Sequence, residues 1–264
     1  VTEPTVAEAS PDVAPPRRRS RPPLRLGGEV RRHPIGWPLL TVLLWPHRAF
    51  DDVAERPRPW LRLLLVVIIA ATPAVVFTNR VDTGRLAERM LNASGRLDDV
   101  PDTERAEILE RTAQGLKVGL PGAAGGRRVL FIFLVAGLAF ALLRGLVPHL
   151  RFTAVLGAVV VGTAPMLLHD GIKLAQALGD HPLFLDLDNP VMSNPAALLE
   201  LDARGSALGA LAKAVDVFRL WSVWLCAVGL QTVSGKRNFL ASSAPWVVLG
   251  ASVGLDVLGA LLRS

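Results

Sequence analysis

Asp216, Arg219, Asp256 and His169 are ionisable residues placed inside, or at the ends of, long apolar runs. The first two stand in Lys213-Ala-Val-Asp216-Val-Phe-Arg219-Leu-Trp221-Ser-Val-Trp224. Three residues apart on a helix, Asp216 and Arg219 share a face and can pair. Inside hydrocarbon each charge costs about 2.5–3.5 kcal/mol on insertion scales, so such residues turn toward a bundle interior or a wet cavity. At the helical rise, Asp216 lies roughly 13 Å from the start of its run at Ala207, and Asp256 roughly 9 Å from Leu262. His169 and Asp170 close another run on the same side. These positions predict one polar cluster within one leaflet. It has three readings: glue that fixes helix register, a site for an ion, a proton or a lipid headgroup, or snorkelling by Lys213 and Arg219.

Other chemistry finds little support. The five histidines, at 33, 47, 149, 169 and 181, have neither His-x-x-His nor His-x-x-x-His spacing, and a single cysteine, Cys226, builds neither a zinc site nor an intrachain disulfide. No Gly-x-x-x-x-Gly-Lys-Ser/Thr phosphate loop occurs. Ser242 and Ser243 fall near the opposite end of the bilayer from His169, which argues against a serine–histidine pair. We expect no metal, no cofactor and no enzymatic activity.

The elements that must position the cluster are membrane spans. Five stretches, at Trp60–Thr78, Val129–Val147, Phe152–Ile172, Ala207–Val233 and Phe239–Leu262, reach or approach the roughly 20 apolar residues a spanning helix needs. The chain is 51% hydrophobic over 264 residues, and the excess is concentrated in these runs. The expected fold is all-α: a polytopic bundle of five transmembrane helices over 35–264, behind a disordered basic tail at 1–34. Six prolines and mixed charges in the first 30 residues carry no apolar period.

Shorter elements fill the connections. Ile35 to Ala54, interrupted by Pro46, is too short to span and reads as an interfacial helix pair lying at the headgroups. Pro73 predicts a kink in the first span. In the polar insertion 79–128, Asp82 leads into Leu86, Ala87, Met90 and Leu91, and Asp102 into Ile108, Leu109, Thr112, Ala113 and Leu116. Two short amphipathic helices follow from that spacing, with breaks at Gly95 and over Gly115–Gly126. The turn 144–151 is short enough to make spans two and three antiparallel neighbours. Asn194-Pro195 marks a helix start running through Leu201, in a loop that also holds Asp180, Asp186, Asp188, Glu200 and Asp202. Gly250 and Gly254 form a small-xxx-small pair in the fifth span.

Net charge is +6, and between Arg17 and Arg32 seven arginines face one acid, Glu29. Beside a span, such a patch means attraction to anionic lipid headgroups and retention on the cytoplasmic side, not nucleic-acid binding. With the N-terminus inside, that side holds 15 basic residues against 12 outside, and the two shortest loops agree. The expected topology is N-inside, C-outside.

The run Asp216-Val-Phe218-Arg-Leu-Trp221-Ser-Val-Trp-Leu-Cys-Ala-Val-Gly229-Leu resembles the fourth-helix pattern of Yip1-domain membrane proteins, with Asp216, Phe218, Trp221 and Gly229 at its motif positions. Pro46, Phe50 and Pro59 resemble that family's entry segment before the first span. Arg219 departs from the apolar or small polar residue of the pattern. The resemblance implies a five-helix membrane domain with a cytoplasmic N-terminus. In eukaryotic members it also implies partnership with small GTPases of vesicle traffic. Abundant arginine, alanine and leucine, no tyrosine and only four lysines suggest a high-GC bacterium, where such traffic does not exist. The expected protein is therefore a non-catalytic scaffold of the bacterial inner membrane, bound to the lipid bilayer and to an unidentified membrane or cytoplasmic partner. The alternative is a small transporter or channel that uses the Asp/Arg cluster.

Overall fold

The structure is a computed structural model, and it describes residues 37–93, 95, 97, 100–179, 193–199, 207–235 and 239–262. The basic tail 1–34 lies outside the described residues. So do Asp180, Asp186, Asp188, Glu200 and Asp202 of the acidic loop, Lys236 and Arg237 of the last turn, and Arg263. The described part is all-α, without a strand among its residues.

The helices run α1 (Trp37–Thr41), α2 (Pro46–Glu55), α3 (Pro59–Arg80), α4 (Thr83–Ala93), α5 (Asp102–Arg144), α6 (Phe152–Gly162), α7 (Ala164–Gly179), α8 (Pro195–Leu198), α9 (Ala207–Ala214), α10 (Val217–Ser234) and α11 (Phe239–Leu261). Five units are long and apolar enough to cross a membrane: α3, α5, α6 with α7, α10 and α11. The protein is a polytopic membrane protein. Its inner packing comes from Val66 of α3, Ile132, Val135 and Ala139 of α5, Val155 to Val161 of α6, and Leu225, Cys226 and Leu230 of α10. The opposite faces of the spans carry exposed Leu64, Ile68, Leu134, Trp224 and Leu255. An apolar exterior around an apolar interior is the arrangement a helix takes when lipid is the solvent.

Four expectations change on contact with the structure. The fourth span is not one helix over 207–233; α9 ends at Ala214, and α10 begins after Asp216. The third span also divides, with a turn at Thr163 before Pro165. Proline supplies no N–H and disfavours the α conformation at the residue before it. Thr163 bridges the turn by giving its N–H to Val159 and its hydroxyl to the Val160 carbonyl at 2.8 Å. Conversely, α5 is one helix of 43 residues that passes through the glycines at 115–126 and through Pro121. Intrinsic propensity gives way there to packing against α3 and α4.

The fourth change concerns α2, which does not merely lie at the headgroups. Ala49, Phe50 and Val53 are buried in the bundle core against α6 and α10, while His47, Arg48, Asp51 and Glu55 stay exposed. Glycines make the room. A methyl group at Gly157 of α6 would stand 2.9 Å from Val53, and one at Gly229 of α10 would stand 2.5 Å from Phe50.

Candidate functional site

The polar residues of the bundle gather along α7 and around the start of α10. Asp216 is the N-cap of α10, in an extended conformation, and its Oδ1 accepts the backbone N–H of Arg219 at 2.9 Å. The expected pairing of these two residues thus takes the form of a cap, not of a side-chain ion pair. The Ser193 hydroxyl donates to Asp216 Oδ2, and the Val217 N–H donates to the Ser193 carbonyl at 3.2 Å. The restart of the helix is therefore stitched to the segment before α8. A carboxylate that accepts the free N–H groups of a helix start sits at the positive end of the helix dipole, which offsets its transfer into an apolar bundle.

Arg219 reaches the other way. Its guanidinium donates to Ser252 Oγ of α11, and Asp256, one turn further on, is its strongest electrostatic neighbour. Asp256 itself is exposed. His169, on α7, is buried; its ring stands 5.5 Å from that of Phe218, and it lies within coulombic range of Asp216. The four residues singled out from sequence are thus electrostatic neighbours in series around the start of α10, His169 with Asp216, Asp216 with Arg219 and Arg219 with Asp256.

One ion pair buried on both sides involves a partner that sequence reasoning did not select. Arg128 of α5 donates to Asp170 of α7 at 2.8 Å, with side chains only 10% and 7% exposed. Lys173, one turn on, lies in the field of both and of Asp216. A signal existed. The short 144–151 turn makes α5 and α6 antiparallel; Arg128 lies about 24 Å back from Arg144 along α5, and Asp170 about 27 Å on from Phe152. Opposite charges at matching depth on adjacent spans predict a pair. Among the described residues, Arg128 Nη1, His169 Nδ1 and Gln176 Oε1 are buried without a hydrogen-bond partner.

Two further contacts tie the bundle. Arg80, the last residue of α3, donates to the carbonyls of Ala177 and Leu178 and so caps the end of α7. At the other end Arg62 of α3 pairs with Asp52 of α2 at 3.3 Å.

The motif residues have definite places. Asp216 caps α10, Phe218 packs on His169, Trp221 lies against the core, and Gly229 leaves the notch that Phe50 fills. The entry segment and the fourth-helix pattern therefore meet at one contact, Phe50 on Gly229. A sequence model of the Yip1 domain matches residues 40–255, a range that holds both. The chain belongs to the Yip1-domain family. No curated protein and no solved structure matched it. As a Yip1-domain protein it is a multi-pass membrane protein whose surroundings are a lipid bilayer.

Proposed function

We propose that this Yip1-domain protein is a non-catalytic scaffold, binding a membrane or cytoplasmic protein partner in the bacterial inner membrane with its N-terminus in the cytoplasm. The observation that carries this reading is the employment of the motif residues. Capping by Asp216 and the Phe50–Gly229 contact spend them on holding α2, α7 and α10 together. Surfaces for a partner are then the basic 1–34 tail, which also meets anionic headgroups, and the α4–α5 segment. The 43 residues of α5 extend about 64 Å, about twice the hydrocarbon thickness, so much of that helix stands clear of the acyl chains.

The test is site-specific photo-crosslinking in the native membrane from exposed Met90 of α4, with and without residues 1–34. The scaffold reading expects a discrete protein adduct that persists through purification. Adducts to lipid alone would overturn it.

A second reading, a small transporter or channel, draws on the Arg128 Nη1 and His169 Nδ1 atoms, buried without a hydrogen-bond partner beside two interrupted spans. Flux of monovalent ions into liposomes separates the two. The scaffold stays at background in wild type and in Asp216→Asn; a transporter conducts, and the substitution changes its rate.

A further inference from the structure

We propose that the corner where α3 and α6 begin is a binding site for the phosphodiester headgroup of an anionic phospholipid. A cleft of about 370 Å³ opens there, lined by Pro57, Arg58, Pro59, Trp60, Leu61 and Thr153. Its polar side chains, those of Arg58, Trp60 and Thr153, are all capable donors. Among the described residues, neither the Arg58 guanidinium, nor the Trp60 indole N–H, nor the Thr153 hydroxyl has a hydrogen-bond or ion-pair partner. The acids in the last turn of α2 do not supply one. Asp52 is held by Arg62, and Glu55 is not part of the lining.

The backbone adds to the same imbalance. Both helices start behind an arginine, Arg58 before α3 and Arg151 before α6, and neither makes a side-chain bond to the first turn. A helix start carries partial positive charge. An arginine beside it raises the potential further, and an anion relieves both. Phosphate oxygens suit a guanidinium, an indole N–H and a hydroxyl that line one cleft from two helices.

The apolar surroundings choose between a lipid and free phosphate. From the cleft, Leu61, Leu64 and Ile68 follow one strip of α3 and are 51%, 57% and 54% exposed. A free ion has no use for that strip, whereas a phospholipid would lay an acyl chain along it. Trp60, at the mouth, is a residue type favoured at the headgroup level.

The full chain, purified from vesicles of mixed phosphatidylcholine and phosphatidylglycerol, is examined by native mass spectrometry for retained lipid. Phosphatidylglycerol is expected to be retained over phosphatidylcholine. Arg58→Gln should lower its retention about fivefold, the worth of one interfacial arginine, and Thr153→Val should lower it less. Arg56→Gln, outside the lining, should leave it unchanged. All variants keep the basic tail, so loss specific to Arg58 and Thr153 locates the site. Arg58 is exposed, so unchanged thermal unfolding is expected of its variant; Thr153→Val carries the test if that variant misfolds. Equal loss in the Arg56 and Arg58 variants, equal retention of the two lipids, or displacement by inorganic phosphate at modest excess would each overturn the proposal.

Discussion

The ring of Phe50 fills the space that a side chain at Gly229 would need, so α2 is keyed into α10 by the absence of one methyl group. Gly229→Ala would place a carbon 2.5 Å from Phe50 Cε1, and the ring is fully buried. Overpacking of this kind costs about 1–3 kcal/mol. The expected outcome is a lower thermal midpoint in detergent, partly restored by adding Phe50→Leu. Without restoration in the double variant, the contact is not the cause.

Where α6 crosses α10 the obstacle is backbone as well as side chain, the Cys226 Sγ standing 2.6 Å from a Cβ at Gly162. A methyl at Gly162 would stand 2.8 Å from both Cα and N of Cys226. Gly162→Ala is therefore expected to destabilise more than Gly157→Ala, whose neighbour is a Val53 methyl that can shift. Gly250→Ala meets nothing within 4 Å. It should be neutral or stabilising by up to about 1 kcal/mol. The ranking of three thermal midpoints checks the packing directly.

Asp216 acts as an acceptor at a helix start, and its formal charge is secondary. Asparagine is as good a cap as aspartate, whereas alanine costs about 0.5–2 kcal/mol. Asp216→Asn should unfold close to wild type and Asp216→Ala clearly below it. Equal losses would mean that the charge itself, acting on His169 or Lys173, matters most.

The Arg128–Asp170 pair lies deep enough for one-sided removal to be severe. Leaving either charge uncompensated is expected to cost about 3–5 kcal/mol. Asp170→Asn or Arg128→Met alone should strongly lower yield and thermal midpoint. The double variant Arg128→Met with Asp170→Leu should recover much of the loss. A double variant no better than the singles would contradict the pairing.

Topology is open to thiol labelling. The native thiol, Cys226, is fully buried and is a silent background. Asn92 is exposed just before the end of α4. With the N-terminus cytoplasmic, Asn92→Cys should react with a membrane-impermeant maleimide added outside the cell membrane. Reaction only after permeabilisation would reverse the orientation.

The spans were legible because hydropathy measures what lipid selects for: about 20 apolar residues per crossing. The interruptions were not. Asp216 stands in an apolar run with no glycine or proline beside it, so the run read as one span and the carboxylate as a costly mid-helix charge. Only the extended backbone at 216 reveals a cap. In α5 the reverse holds: glycines and Pro121 signal breaks that the packing of α3 and α4 overrides. Among the candidate site residues, His169 with Asp216, and Arg219 with both Asp256 and Asp216, are electrostatic neighbours. Which neighbours Asp216 and Arg219 meet depends on the rotation of α10 between α7 and α11. That rotation depends on Phe50, Gly229 and Gly162 (contacts between segments distant in sequence), and hydropathy does not report it.

The uninterrupted passage of α5 from Asp102 to Arg144 has a mechanical consequence. No loop separates the part packed on α4 from the part that carries Arg128, so a load applied at the Asp102 end is carried along the helix toward Arg128. Compliance is concentrated around Pro121 and its neighbouring glycines, where one carbonyl lacks its helical donor. Pro121 stands seven residues before Arg128, about two helical turns, so a pull on α4 bends the helix close to the Arg128–Asp170 bond.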